Sequence, residues 1–168
     1  MPSKLGKPTD QRMAMLKNQT SELLWFGRIE TTVDRAKSVR SLAEKIITSA
    51  IRTYEDETTS TKNKVNLKGE TVAVEFKADG PKKLAARRRM MAKLADLQET
   101  RRNKESKEAF KARIKDINHP LIEKIFNEYA PKYALRAKDK GQGGGYTRIV
   151  RLGRRRGDGA EMAVIELV

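Results

Sequence analysis

Near its end the chain reads "RLGRRRGDGAEM", with Arg154, Arg155 and Arg156 side by side between Gly153 and Gly157. The flanking runs, Tyr146 to Leu152 and Met162 to Val168, have strand character, and Gly157, Asp158 and Gly159 supply the backbone freedom of a hairpin tip. Three adjacent arginines contribute nothing to a turn and repel one another. Their chemistry is that of anion binding, and a neighbouring glycine lets the backbone approach a phosphate closely. A second run, Arg87 to Arg89, covers nearly a full helical turn, where a solvated helix face explains the charge about as well as a contact does. Arg12, Lys17, Arg35, Lys37, Arg40, Arg136, Arg148 and Arg151 spread further positive charge over several elements.

Residues suited to catalysis are sparse. The one histidine, His119, precedes a proline at a predicted helix start, where capping or solvent explains it better than general-base work. With no cysteine there is no thiolate nucleophile, disulfide or Cys-ligated metal. Glu55, Asp56 and Glu57 read as a polar loop and not as a metal site. Gly141, Gly143, Gly144 and Gly145 lack the Gly-Lys-Ser/Thr of a phosphate loop and lead into a strand. No enzymatic activity, cofactor, metal or small-molecule substrate is expected.

The whole composition points the same way. The 168 residues carry 37 Lys and Arg against 22 Asp and Glu, a formal charge of +15. Ten basic and six acidic residues fall in 1–55, seventeen and ten in 56–118, ten and six in 119–168, so the excess is not a basic tail. Charge spread in this way suits a polyanion touching much of the surface, and several dispersed patches suit folded RNA better than one duplex groove. No run approaches the ~18 apolar residues of a membrane span, and the N-terminal stretch lacks a signal peptide's apolar core. A cytoplasmic location is expected.

These side chains need elements to position them. The stretch "KPTDQRMAMLKNQTSELLWFG" reads as a helix opened by Pro8, capped by Thr9 or Asp10, with Met13, Leu16, Leu23 and Leu24 on one face and Gly27 as its stop. "RIETTV" is a strand. Asp34 caps a second helix with the stripe Ala36, Val39, Ala43, Ile46, Ile47 and Ala50, from which Arg35, Lys37, Arg40 and Lys45 project away. "EDETTSTKNK" reads as loop, and "VNLKGETVAVEF" as a small hairpin around Lys68, Gly69 and Glu70. Pro81 opens a third helix through Leu97, and the charged "QETRRNKESKEAFKARIKDIN" continues it or is loosely ordered. After Pro120 comes a helix with Leu121, Ile122, Ile125, Phe126 and Tyr129 inward. Pro131 then starts a last short turn, and "KDKGQGGG" links to the closing hairpin. The order α-β-α-α-α-β-β predicts an α+β fold, with helices on one face of a small mixed sheet, an inserted hairpin and a charged helix.

"RMAMLKNQTSELLWFGRIETTVDRAKSVRSLAEKIITSA" (Arg12 to Ala50) resembles the N-terminal core of the bacterial large-subunit ribosomal protein "L seventeen" family. It supplies, without a gap, Arg12, Ala14, Lys17, Asn18, Ile29, Thr31, Thr32, Ala36, Lys37, Arg40, Glu44, Ile47 and Thr48 of that family's pattern. "KIFNEYAPKYALRA" and "GGYTRIVRLGRRRGDGAEMAVIELV" are similar to its end. The resemblance covers about half the chain, at both ends. It implies a non-catalytic, rRNA-binding constituent of the large subunit in the cytoplasmic ribosome, beside neighbouring ribosomal proteins near the outer mouth of the exit tunnel. RNA contacts are then expected from Lys4, Lys7, Arg12, Lys17, Thr31, Thr32, Arg35, Lys37 and Arg40, and from Arg87, Arg88 and Arg89. Arg136, Tyr146, Arg148, Arg154, Arg155 and Arg156 complete the set. The chain departs from the family where a basic N-terminal run is usual, offering only Lys4, Lys7 and Arg12, with Gln11 where His is common. Its middle is also longer, and 54–80 and 95–118 read as insertions in a single domain. The rival reading is a free-standing RNA- or DNA-binding or RNA-processing factor.

Overall fold

Pro8 and Gly27 bracket the first helix, α1 (Thr9–Phe26). Residues 4–65, 71–115, 117–141 and 143–168 are described by a computed structural model of the chain. Gly27 turns left-handed at φ 78° and its N–H donates to the Leu23 carbonyl, a stop that glycine makes without steric cost. Pro8 occupies the capping position with no side-chain cap, so neither Thr9 nor Asp10 caps. Leu16, Leu23 and Leu24 are buried. Met13 is not: it stands 52% exposed, because its turn of α1 reaches the rim of a groove beside Leu42 and Ala92 instead of the core.

Strand β1 (Arg28–Thr32) leads directly into α2 (Val33–Ile51). The helix opens two residues earlier than expected. Thr32 takes the capping position, and Asp34 sits in the first turn, where a carboxylate faces the positive end of the helix. The stripe Ala36, Val39, Ala43, Ile46, Ile47 and Ala50 is buried along its length. α2 therefore lies between two cores. Val33, Ala36, Val39 and Ala43 pack with Leu16, Leu23, Ala163 and Ile165. On the other side Ile46, Ile47 and Ala50 pack with Met90, Leu121, Ile125, Phe126 and Tyr133.

The sheet is β1, β5 (Glu161–Leu167) and β4 (Thr147–Arg154), in that order. Both pairings are antiparallel, so the sheet is not mixed: β1 and β4 each run against the central β5. The register aligns Ile29, Ile165 and Ile149 on one face. All three belong to the core cluster that includes α1 and α2. Between β4 and β5 the register slips after Arg151, leaving Leu152 as a bulge, and Gly153 takes φ 102° to carry it.

The middle of the chain departs most from expectation. The polar stretch at 55–64 is not a loop: β2 (Glu57–Val65) pairs with β3 (Thr71–Asp79) over nine residues each. β2 is built from Thr58, Thr59, Ser60 and Thr61, residues with β propensity but without the apolar alternation that β3 shows at Val72, Val74, Phe76 and Ala78. The predicted turn at Lys68 to Glu70 lies outside the described residues. α3 (Pro81–Lys93) ends before Leu97 because Leu94 goes extended and the Ala95 N–H donates to the Ser21 hydroxyl of α1 at 2.8 Å. Beyond it the chain is irregular up to Ser106, whose hydroxyl caps α4 (Lys107–Ile114), a helix that buries no residue.

α5 (Pro120–Lys124), a wide π turn (Ile125–Tyr129) and α6 (Ala130–Lys140) follow one another without a break. Pro131 thus lies in a helix and not in a short final turn. Its ring lacks an N–H and would clash with the carbonyl four residues back. The π turn just before it lets the Ala130 N–H reach back five residues to Ile125, widening the backbone there. Gly141, left-handed at φ 61°, ends α6 and begins the predicted link.

Candidate nucleic-acid interface

The tip is a closed turn. The Arg155 N–H donates to the Ala160 carbonyl and the Gly159 N–H to the Arg155 carbonyl, both at 2.9 Å. Gly159, at φ 65°, supplies the left-handed residue, a role sequence reasoning shared with Gly157. Asp158 is the fastener. Its carboxylate accepts from Arg155 Nε at 2.9 Å and Nη2 at 2.5 Å, and from the Ala160 N–H at 3.2 Å. The Arg155 hydrogen bonds, with help from the Ala160 N–H, hold Asp158 far below the ordinary carboxylate range. The triplet is therefore not uniform. Arg155 is neutralised within the turn, whereas Arg154 and Arg156 are exposed and meet no carboxylate among the described residues.

The second triplet divides differently. Arg87 turns inward: Nε meets Asp79 Oδ2 and Nη1 meets Glu123 Oε1, each at 2.5 Å, with the guanidinium 5.3 Å from the Phe126 ring centre. Beside it the nearly buried Lys83 Nζ pairs with Glu57 at 2.9 Å and Asp79 at 3.6 Å. Burial opposes the charge on Asp79, but the Arg87 hydrogen bond and the charges of Arg87 and Lys83 outweigh it and lower its pKa. Asp56, just before β2, accepts from the N–H groups of Lys82 and Lys83 at 2.8 and 3.2 Å. It caps α3 from outside because the residue at the cap, Gly80, has no side chain; a Cβ there would land on the Asp56 carboxylate. Arg87 is a structural clamp, contrary to the expectation that it contacts RNA. Arg88 and Arg89 remain exposed and unpaired among the described residues.

Other expected contacts are also turned inward. Arg136 donates to the carbonyls of Gly144 and Gly145 at 2.5 and 3.1 Å and lies over the Tyr133 and Tyr146 rings, fastening the glycine link to α6. Tyr146 is buried, and so is Thr31, whose hydroxyl accepts from Gln19. Thr32 is half-buried at the start of α2. Arg148 pairs with Glu166, Lys37 with Asp34 and Arg40 with Glu44, all with the basic side chain more than half exposed, where pairing is weak. Lys4, Lys7, Arg12, Lys17 and Arg35, on or near α1 and the start of α2, have no ion pair among the described residues.

Lys45, Arg52 and Lys93 are not among the expected contacts, yet they too have no ion pair among the described residues. Lys45 on α2 and Arg52 at its C-terminal cap are seven apart, and Lys93 is four after Arg89 on α3, spacings that share a helix face. The packing of α2 against α3, which brings these faces together, was not legible. His119 precedes Pro120 at the start of α5 and faces Asp96 at 3.2 Å, away from any catalytic partner.

The sequence model of the family described as "Ribosomal protein L17" matches residues 15–168. The chain belongs to the ribosomal protein L17 family. It is 38% identical to the large ribosomal subunit protein bL17 of Clostridium tetani, over 98% of this chain and 96% of that one. Against bL17 of Clostridium acetobutylicum it is 39% identical, over 98% and 95%. Against bL17 of Lachnospira eligens it is 38% identical, over 98% and 97%. Membership makes it a structural, non-enzymatic constituent of the bacterial large subunit, with the cytoplasmic location of that particle. No helix among the described residues is long and apolar enough to cross a membrane.

Proposed function

We propose that this L17 family member clamps large-subunit rRNA by neutralising backbone phosphates at several separate patches, next to neighbouring proteins near the exit-tunnel face. One observation carries the reading: the cations fastened with little exposure sit at joints, and those with no partner among the described residues stand on outer surfaces. Lys83, Arg87 and Arg136 fasten one element to another. Arg154 and Arg156 on the tip, Arg88 and Arg89 on α3, and Lys4, Lys7, Arg12, Lys17 and Arg35 around α1 have no internal acid to satisfy. In a chain of formal charge +15, these are the groups left to meet phosphate. The bulge and tight turn hold the tip as a stiff projection, with Gly153 and Gly159 leaving the backbone uncovered. Residues 54–80 and 95–118 are additions to the family core in this reading. The test is co-sedimentation: the full chain stays with large subunits through a salt wash that strips loosely bound factors. Complete release by that wash would favour the free-standing factor.

A further inference from the structure

Three adjoining concavities form one trough beside α2. The first, about 550 Å³, is lined by Lys45, Arg52 and Arg89 with Ser41, Ser49 and Thr53. The second, about 140 Å³, shares Lys45, Ser49 and Arg89 with it and adds Lys93. The third, about 240 Å³, shares Lys93 and Leu42 with the second and adds Lys17, Met13, Ala14 and Ala92. From Leu42 to Arg52 the trough follows roughly 15 Å of helix at ~1.5 Å per residue.

Its charge is one-sided. Lys17, Lys45, Arg52, Arg89 and Lys93 have no side-chain hydrogen bond or ion pair among the described residues. The single carboxylate in the lining, Glu44, is already engaged by Arg40 at 3.4 Å and the Thr147 hydroxyl at 2.9 Å. Cations facing one another across a groove with no counter-charge call for a polyanion. Hydroxyls on the floor add neutral partners of the kind a ribose 2′-OH uses. The far end is different in kind: Met13, Leu42, Ala14 and Ala92 offer nothing to a phosphate and suit the flat face of a sugar or base. That mixed lining suits a single strand, whose unpaired bases are free to lie against apolar side chains, better than a duplex, whose bases are stacked inside.

We infer that this trough holds a single RNA strand, with phosphates on Arg52, Lys45, Arg89, Lys93 and Lys17 and one sugar or base against Met13 and Leu42. The inference rests on the RNA-binding reading above and adds to it a site and a strand state. Its test uses the full chain with a short oligouridylate, an RNA duplex of equal length and polyglutamate. Replacing Lys45, Arg52 and Lys93 together with Ala removes three contacts of roughly 0.7 each. The slope of log affinity against log salt for the single strand should flatten by about 2. Met13→Ser should weaken the single strand several-fold at unchanged slope. Circular dichroism of each variant controls for folding. If the wild type binds neither RNA, the RNA-binding reading fails and takes the trough with it. If it binds RNA but the triple variant keeps the wild-type slope, the trough inference alone is overturned. Polyglutamate competing as well as the oligouridylate would also overturn it, in favour of an acidic peptide.

Discussion

Two stretches of three arginines, Arg87 to Arg89 and Arg154 to Arg156, are indistinguishable by composition and opposite in use. On α3 each residue turns about 100° around the axis, so one of three must face the body of the protein. That one is Arg87, and the acids waiting for it come from β3 and α5, 8 and 36 residues away in sequence. At the tip no body lies beneath. The acid that captures Arg155 is three residues on, within the same turn, and the outer two arginines stay free. The same sequence word is thus one clamp followed by two unpaired cations in one place, and a fastener between two unpaired cations in the other. A run of like charge gives the sign of the partner. The element carrying it decides which members can reach that partner.

The comparison breaks most visibly at the base of the inserted hairpin. Residues 55–79 include Asp56, Glu57 and Asp79, the cap of α3 and the acids of Lys83 and Arg87. Deleting the whole segment leaves the buried Lys83 with no acid and Arg87 with Glu123 alone, and should cost about 3 kcal/mol or more. Removing only 59–77, with a short Gly-Ser join, keeps these acids and should cost far less. Urea unfolding of the two deletions decides it, and equal stability would mean that the clamp contributes nothing.

Single substitutions should follow the same division on a smaller scale. Arg87→Ala leaves Glu123 partly buried and unpaired and Asp79 with only Lys83 at 3.6 Å, a loss of about 2–3 kcal/mol. Arg88→Ala or Arg89→Ala should stay within about 0.5 kcal/mol. Urea midpoints measure all three, and a loss at Arg88 matching that at Arg87 would contradict the assignment.

What could be read from the sequence follows the range of the interactions involved. The buried stripe of α2, the stop at Gly27 and the closing hairpin rest on local periodicity and turn chemistry, and they stand as expected. Of the long β2–β3 ribbon only the end near the turn was legible, because the polar stretch Glu57 to Lys64 carries no apolar alternation. Pro131 misled because a π turn upstream absorbs the clash that normally ends a helix. Of the expected contacts, Arg136, Tyr146 and Thr31 were drawn inward by partners that only the tertiary fold supplies. Asp158, by contrast, was in plain view three residues from Arg155.

Acid should expose the clamp from another side. Asp79 has a lowered pKa in the folded chain, so the stability it contributes is fully present above its unfolded value, ~3.9, and is lost as pH falls toward the folded value. Wild-type stability should therefore drop below about pH 4 more steeply than that of Asp79→Asn, which lacks the titrating group. Parallel stability curves over that window would remove Asp79 from the clamp.

The division between free and fastened arginines is tested most directly at the tip, by affinity for a large-subunit rRNA fragment across a salt series. Replacing Arg154 and Arg156 with Ala should flatten the slope of log affinity against log salt by about 1.5, at roughly 0.7–0.9 per phosphate released. Arg155→Ala should change it little, because Asp158 already neutralises that charge, and Asp158→Asn, which keeps an acceptor for the Ala160 N–H, should steepen it by about 1. A slope lowered by Arg155→Ala as much as by either neighbour, with no response to Asp158→Asn, would contradict the account.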